Sequence, residues 1–201
     1  MLMKNKHFFC WSAIIVLDAI FMYFVMAQGM HDLYRENSWA ENLQALLLII
    51  AFIIFSISAY QHSGRERIFS AFLGMICFAF FFREIDFDRI AGMPSFIVFM
   101  LAGQGRGFFF AIILCLMALI VKDYKHYFTH IKAYLCNPVV IYLCVLAPAM
   151  LVFSHVFDRK IWMLEYRVFY EELAEMTAYC FMLCSAIFSV ETLHKLKQDT
   201  A

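Results

Sequence analysis

The chain has 201 residues, 64% of them hydrophobic, and its 16 Lys and Arg balance 16 Asp and Glu to a formal net charge of zero. A soluble domain averages nearer half apolar, so the surplus needs lipid to hide in. No basic patch is longer than a loop, which argues against nucleic-acid binding. The composition therefore predicts an all-α polytopic membrane helix bundle, folded as a single integral domain over residues 1–201.

A hydrocarbon core of roughly 30 Å takes about 20 residues at a rise of about 1.5 Å each. On that measure six spans are predicted, at 8–27, 43–61, 68–86, 103–121, 138–155 and 172–191. The first follows Lys4 and Lys6. Its apolar stretch, Phe8 to Ala27, is longer than a signal-peptide core and lacks an A-x-A cleavage site, so it reads as a retained span. Asp18 sits near its middle. A carboxylate at that depth faces the bundle, with Tyr23 or Ser12 as local partners, and suggests proton coupling. The bland alternative is one interhelical hydrogen bond.

Span two opens with the capping box Ser38-x-x-Glu41, and Gln44 lies one turn deeper. Spans three and four have uninterrupted apolar cores of only Ile68–Phe82 and Gly107–Val121. To cross, they must draw Arg83, Glu84, Asp86 and Arg106 to membrane depth. On a continuing helix, Asp86 is bracketed at i±3 by Arg83 and Arg89. Between these spans, Ser95–Ala102 is apolar but too short to cross, and is predicted to be re-entrant or interfacial. The glycine-rich run Gly103 to Gly107 lacks the Lys and Ser or Thr of a phosphate-cradling loop.

After span four, Lys122, Lys125 and Lys132 interleave with Tyr124, Tyr127 and Phe128, a pattern suited to an anionic bilayer surface. Span five closes with His155 and Asp158. Span six begins Glu171-Glu172-x-x-Glu175, with Tyr179 a turn below. Of the seven cysteines, Cys180 and Cys184 share a helix face. With no C-x-x-C in the chain, they read as packing residues.

Counting Lys and Arg places nine inside and seven outside if the N-terminus is cytoplasmic. The split by type is sharper. Seven of eight Lys fall inside and six of eight Arg outside, among carboxylates. Both termini are therefore expected in the cytoplasm, across a bacterial-type inner (plasma) membrane.

The outer ends of spans two, three and six carry the chemistry. Arg83, Arg89, Arg106, Glu41 and Gln44 are the candidate substrate-binding residues, and Glu175, Asp86 and Glu172 the candidate catalytic ones. His155 and Asp158 add a weak set for a divalent metal ion, zinc or manganese. Three functions fit this pattern. The first is an enzyme acting on a lipid or lipid-linked anionic substrate at the outer face. The second is a small ion-coupled transporter using Asp18. The third is a non-catalytic subunit or assembly factor of a membrane complex.

Overall fold

The structure is a computed structural model that describes residues 2–34, 39–85, 92–101, 106–129, 131–158 and 166–199. Every regular element among these is helical, with no strand. Helix α1 (Leu2–Met22) runs on into a π-helical turn, Tyr23–Ala27, and a short 3-10 turn, His31–Tyr34, follows. Then come α2 (Trp39–Gln61), α3 (Arg65–Glu84), α4 (Ser95–Leu101) and α5 (Arg106–Lys122). After the short α6 (Tyr124–Thr129) and α7 (Ile131–Leu135), α8 (Pro138–Val140) passes through a π-helical segment, Ile141–Leu146, into α9 (Ala147–Asp158). The chain closes with α10 (Arg167–Asp199).

Among the described residues, four stretches are long and apolar enough to cross a membrane: Asn5–Ala27, Trp39–Gln61, Pro138–Phe157 and Arg167–Val190. They correspond to predicted spans one, two, five and six. Three of them start earlier than hydropathy alone suggests, at Asn5 instead of 8, at Trp39 instead of 43 and at Arg167 instead of 172. The extra first turns of α2 and α10 carry Glu41 and Glu171, which a helix N-terminus favours. Over the described residues, the other two predicted spans form helices that are more charged or shorter. Helix α3 has twenty residues but five charges at its ends, and α5 has only seventeen residues. Ser95–Leu101 is a seven-residue helix, too short to cross, as expected.

Helix α10 is the axis of the bundle. Some 72% of its apolar window is buried, against 22% for the first stretch and 39% for α2. It packs along α2 and α9, while α2 packs along α3 and α5 leans on α3. Leu48, Ala51 and Phe55 of α2, Leu73 and Cys77 of α3, and Ala178, Tyr179 and Met182 of α10 form the main core. At the α2–α3 contact the helices approach closely through Gly74. A Cβ there would lie 3.1 Å from Phe55 Cβ. The hairpin turns at Gly64, whose φ of 65° is a left-handed value that glycine adopts without strain.

The segment Ile141–Leu146 is π-helical for a local reason. Pro148 has no N–H, and its ring would clash with the carbonyl of Cys144 in a regular α-helix. Widening the preceding turn relieves that clash, and the Ala147 N–H bonds instead to the Tyr142 carbonyl, five residues back. The helix starts at a buried cap: Asn137 is extended, its side chain accepts from the Val139 N–H at 2.9 Å, and Pro138 occupies the first helical position. Asn137→Ala is expected to lower stability by about 1 kcal/mol. Thermal unfolding in detergent measures this, and Asn137→Asp should recover most of the loss.

Candidate functional site

Because α10 meets protein on nearly every side, its polar side chains must find protein partners and not water. Near its N-terminal end they do so in one cluster. Glu175 sits about 12 Å along the helix from Arg167. Ser154 of α9 donates to its Oε1 at 3.0 Å, and the Arg83 guanidinium pairs with its other oxygen. The same guanidinium bonds Glu84 Oε1 through Nε at 3.0 Å. The Tyr179 hydroxyl, on a side chain with no exposed surface, donates to that oxygen at 2.6 Å. One turn toward the helix end, Glu172 accepts from Gln44 Nε2 at its Oε2 (2.9 Å) and at its backbone carbonyl (3.1 Å). Half-buried Glu41 lies close enough to act electrostatically on both Glu84 and Glu172.

Four helices thus bring Gln44, Arg83, Glu84, Ser154, Glu172, Glu175 and Tyr179 into one network. Two atoms define what it can do. Gln44 is fully buried, and its Oε1 finds no donor among the described residues. Arg83 has five N–H donors and spends only Nε and one terminal nitrogen on its two carboxylates. Its side chain is 47% exposed, whereas those of Glu84 and Glu175 are 6% and 13% exposed. The acids are the inner half of the network and the guanidinium is its outer face.

Of the residues expected at the site, the structure brings Gln44, Arg83, Glu172 and Glu175 together, with Glu41 beside them. Arg106 lines a groove that Arg83 also lines. Asp86, Arg89 and Ser38 lie outside the described residues, as does the side chain of Asp158. Helix α3 ends at Glu84, and Ile85 is extended (φ −107°, ψ 118°). Arg83 bonds its neighbour Glu84 and, across the bundle, Glu175. His155 is exposed on α9, and the described residues contain no group of three or more His, Cys, Asp or Glu arranged to hold a metal ion.

Asp18 also differs from expectation. Its partner is neither Tyr23 nor Ser12 but Thr177 of α10, whose hydroxyl donates to Oδ2 at 3.1 Å; Asp18 Oδ1 is buried without a donor among the described residues. Beyond Thr177 the seam between α1 and α10 passes Cys180, Phe181 and Cys184, with Trp11 packed edge-on to Phe181.

Sequence reasoning missed Ser154 and Thr177, and placed Glu84 at membrane depth without a role at the site. Ser154 had one signal, a hydroxyl inside the apolar run Leu151–Phe157. The role of Glu84 rests on its bond from Tyr179 of α10, which the helix pattern alone does not mark.

A second polar group lies at the other end of α2 and α3. Arg65 bonds Asp123 and the His126 ring, each at 3.2 Å, and Tyr127 donates to the Arg65 carbonyl at 3.3 Å. Burial, with help from the charges of Glu66 and Asp123, pushes the Tyr127 phenol up to about 12, so it remains a hydroxyl donor. These contacts tie the α5–α6 corner to α3 and account for this group as structure.

The fold and the site together define a helical bundle of membrane-spanning character with an ionic network buried near one end. No protein-family model, curated protein or solved structure matches the chain.

Proposed function

We propose that the chain is a multi-pass protein of a bacterial-type inner membrane, crossing six times with both termini in the cytoplasm. At its non-cytoplasmic end it acts as an enzyme on a lipid or lipid-linked anionic substrate. Helix α3 lies along α2, so a membrane that α2 crosses is one α3 must accompany, and α5 in turn follows α3. Their lengths, about 30 Å and 26 Å at the standard rise, suit a hydrocarbon core once the terminal arginines reach the interface. An even count leaves Lys4, Lys6, Lys195 and Lys197 on one side, in accord with the positive-inside bias.

One observation carries the enzymatic reading. Arg83 holds two buried carboxylates with one edge of its guanidinium while the rest of the group faces outward. An anionic head docked on Arg83, with Arg106 and Arg89 as further cations, is delivered beside Glu175 and Glu172. These two carboxylates sit at i, i+3 on one helix with different partners. Glu175, ion-paired and oriented by Ser154, takes the part of base; Glu172, bonded to a neutral amide, takes that of acid. Asp86 is assigned to the same acid–base set from its place just beyond α3. The described donors do not fit a resident metal, and no step is routed through one.

The test compares lipid extracts of cells lacking this protein with those of cells supplied with the wild type, Glu175→Gln or Glu172→Gln. A polar lipid that changes on deletion should return to normal with the wild type and with neither variant. Full restoration by Glu175→Gln overturns the enzymatic reading. It would then favour the non-catalytic subunit, for which α5 speaks: none of its described side chains is buried, so the face turned away from α3 is open to a partner. A transporter built on Asp18 is the weaker reading, because the seam beyond Thr177 is thiol and aromatic.

A further inference from the structure

The α3–α5 contact leaves a groove of about 430 Å³ whose walls are apolar except at one end. Ile76 and Ala79 of α3 face Phe109 and Ile113 of α5, and the polar end is made by Arg83 and Arg106. Along each helix the arginine is seven residues from the far end of the groove, about 10 Å at the helical rise. The groove therefore has the dimensions of a hydrocarbon chain segment with two guanidinium groups at its head. Helix α5 buries no described side chain, so the α5 wall of the groove lies at the edge of the bundle.

From this geometry we infer that the α3–α5 groove is a lateral entry site for a single-chain phosphate-headed lipid, with the tail along Ile76, Ala79 and Ile113 and the phosphate between Arg83 and Arg106. The inference rests on the reading of this end of the bundle as a site for an anionic lipid, and narrows it to the class of head and the direction of entry. Charge complementarity selects the occupant. An apolar trough alone would take any acyl chain, but two arginines lining the same end supply guanidinium forks suited to a phosphate. Arg83 brings unspent N–H donors, and the first turn of α5 adds the positive end of its helix dipole where Arg106 stands. Phosphate bound there lies next to Glu175, the partner of Arg83, so binding and the proposed chemistry meet at one guanidinium. The apolar groove walls hold the tail while the carboxylates stay on the protein side of Arg83.

The experiment is equilibrium binding of radiolabelled hexadecyl phosphate to the full chain in nanodiscs of zwitterionic lipid. Wild type should bind saturably, with hexadecanol and inorganic phosphate failing to compete at equal concentration. Arg106→Gln should weaken binding at least tenfold. Ala79→Phe, which fills the groove but keeps both arginines, should do the same. Wild-type affinity in either variant overturns the inference, and so does equal competition by inorganic phosphate, which would mark a site for the free anion. The outcome is independent of the lipid-extract test. Binding that persists in a protein whose Glu175→Gln form restores the lipid profile keeps the groove assignment and removes only the enzyme.

Discussion

Arg83→Met is expected to destabilise the protein by about 2–3 kcal/mol, the largest effect of any single change at the ionic network. Breaking a buried ion pair by removing one partner typically costs about 3–5 kcal/mol, because the remaining charge is stranded away from water. Here the removed partner is half exposed, which lowers the figure, but the carboxylates it leaves behind are not: Glu84 and Glu175 keep little accessible surface. Tyr179 and Ser154 each still donate one hydrogen bond, to Glu84 and Glu175 respectively, and that is too little to hold two neighbouring charges. The double variant Arg83→Met/Glu175→Gln should recover at least about 1 kcal/mol of the loss, since it removes one stranded charge. Equilibrium unfolding in mixed micelles measures both. A single variant within about 0.5 kcal/mol of wild type would show that water reaches the acids, and that the network is a surface feature.

Gly74→Leu is expected to cost about 3 kcal/mol by a different route. The site is a helix–helix contact, where the close approach of α2 and α3 depends on the missing side chain. The first atom a Cβ would meet is Phe55 Cβ at 3.1 Å, which is fixed to its own helix and cannot swing aside; Phe55 itself is fully buried. Overpacking of this kind typically costs about 1–3 kcal/mol, and leucine adds three more carbons to the clash. Gly107→Leu is the matched control. Nothing lies within 4 Å of a Cβ there, so its effect should stay near about 0.5 kcal/mol or less. Similar losses at the two glycines would mean that the α2–α3 contact does not set the result, because the higher helix propensity of leucine by itself favours both variants.

These two sites also separate what was readable in the chain from what was not. The polar end was foreseeable because ionisable residues beside short apolar runs cannot all face lipid, and so Arg83, Glu172, Glu175 and Gln44 stood out. Their partners were not foreseeable. Helical spacing offers Arg83 only neighbours on its own helix, whereas the guanidinium also reaches across to Glu175 of α10. Asp18 was matched with residues of its own helix and is held by Thr177, 159 positions away. Ser154 had nothing beyond its hydroxyl to mark it, because a serine in an apolar helix is ordinary until a carboxylate faces it.

The amino-acid sequence by itself determined the class of molecule, since hydrophobic excess and run length are local quantities that lipid-sized helices must satisfy one at a time. It also determined which ends of those helices hold charge, and separated Lys from Arg along the chain. The tertiary structure alone decided that α10 is central, that one guanidinium serves Glu84 and Glu175 together, and that α3 and α5 leave a groove ending in two arginines. The physical reason is that periodicity names the polar residues on a helix, but only packing says which neighbour each one meets.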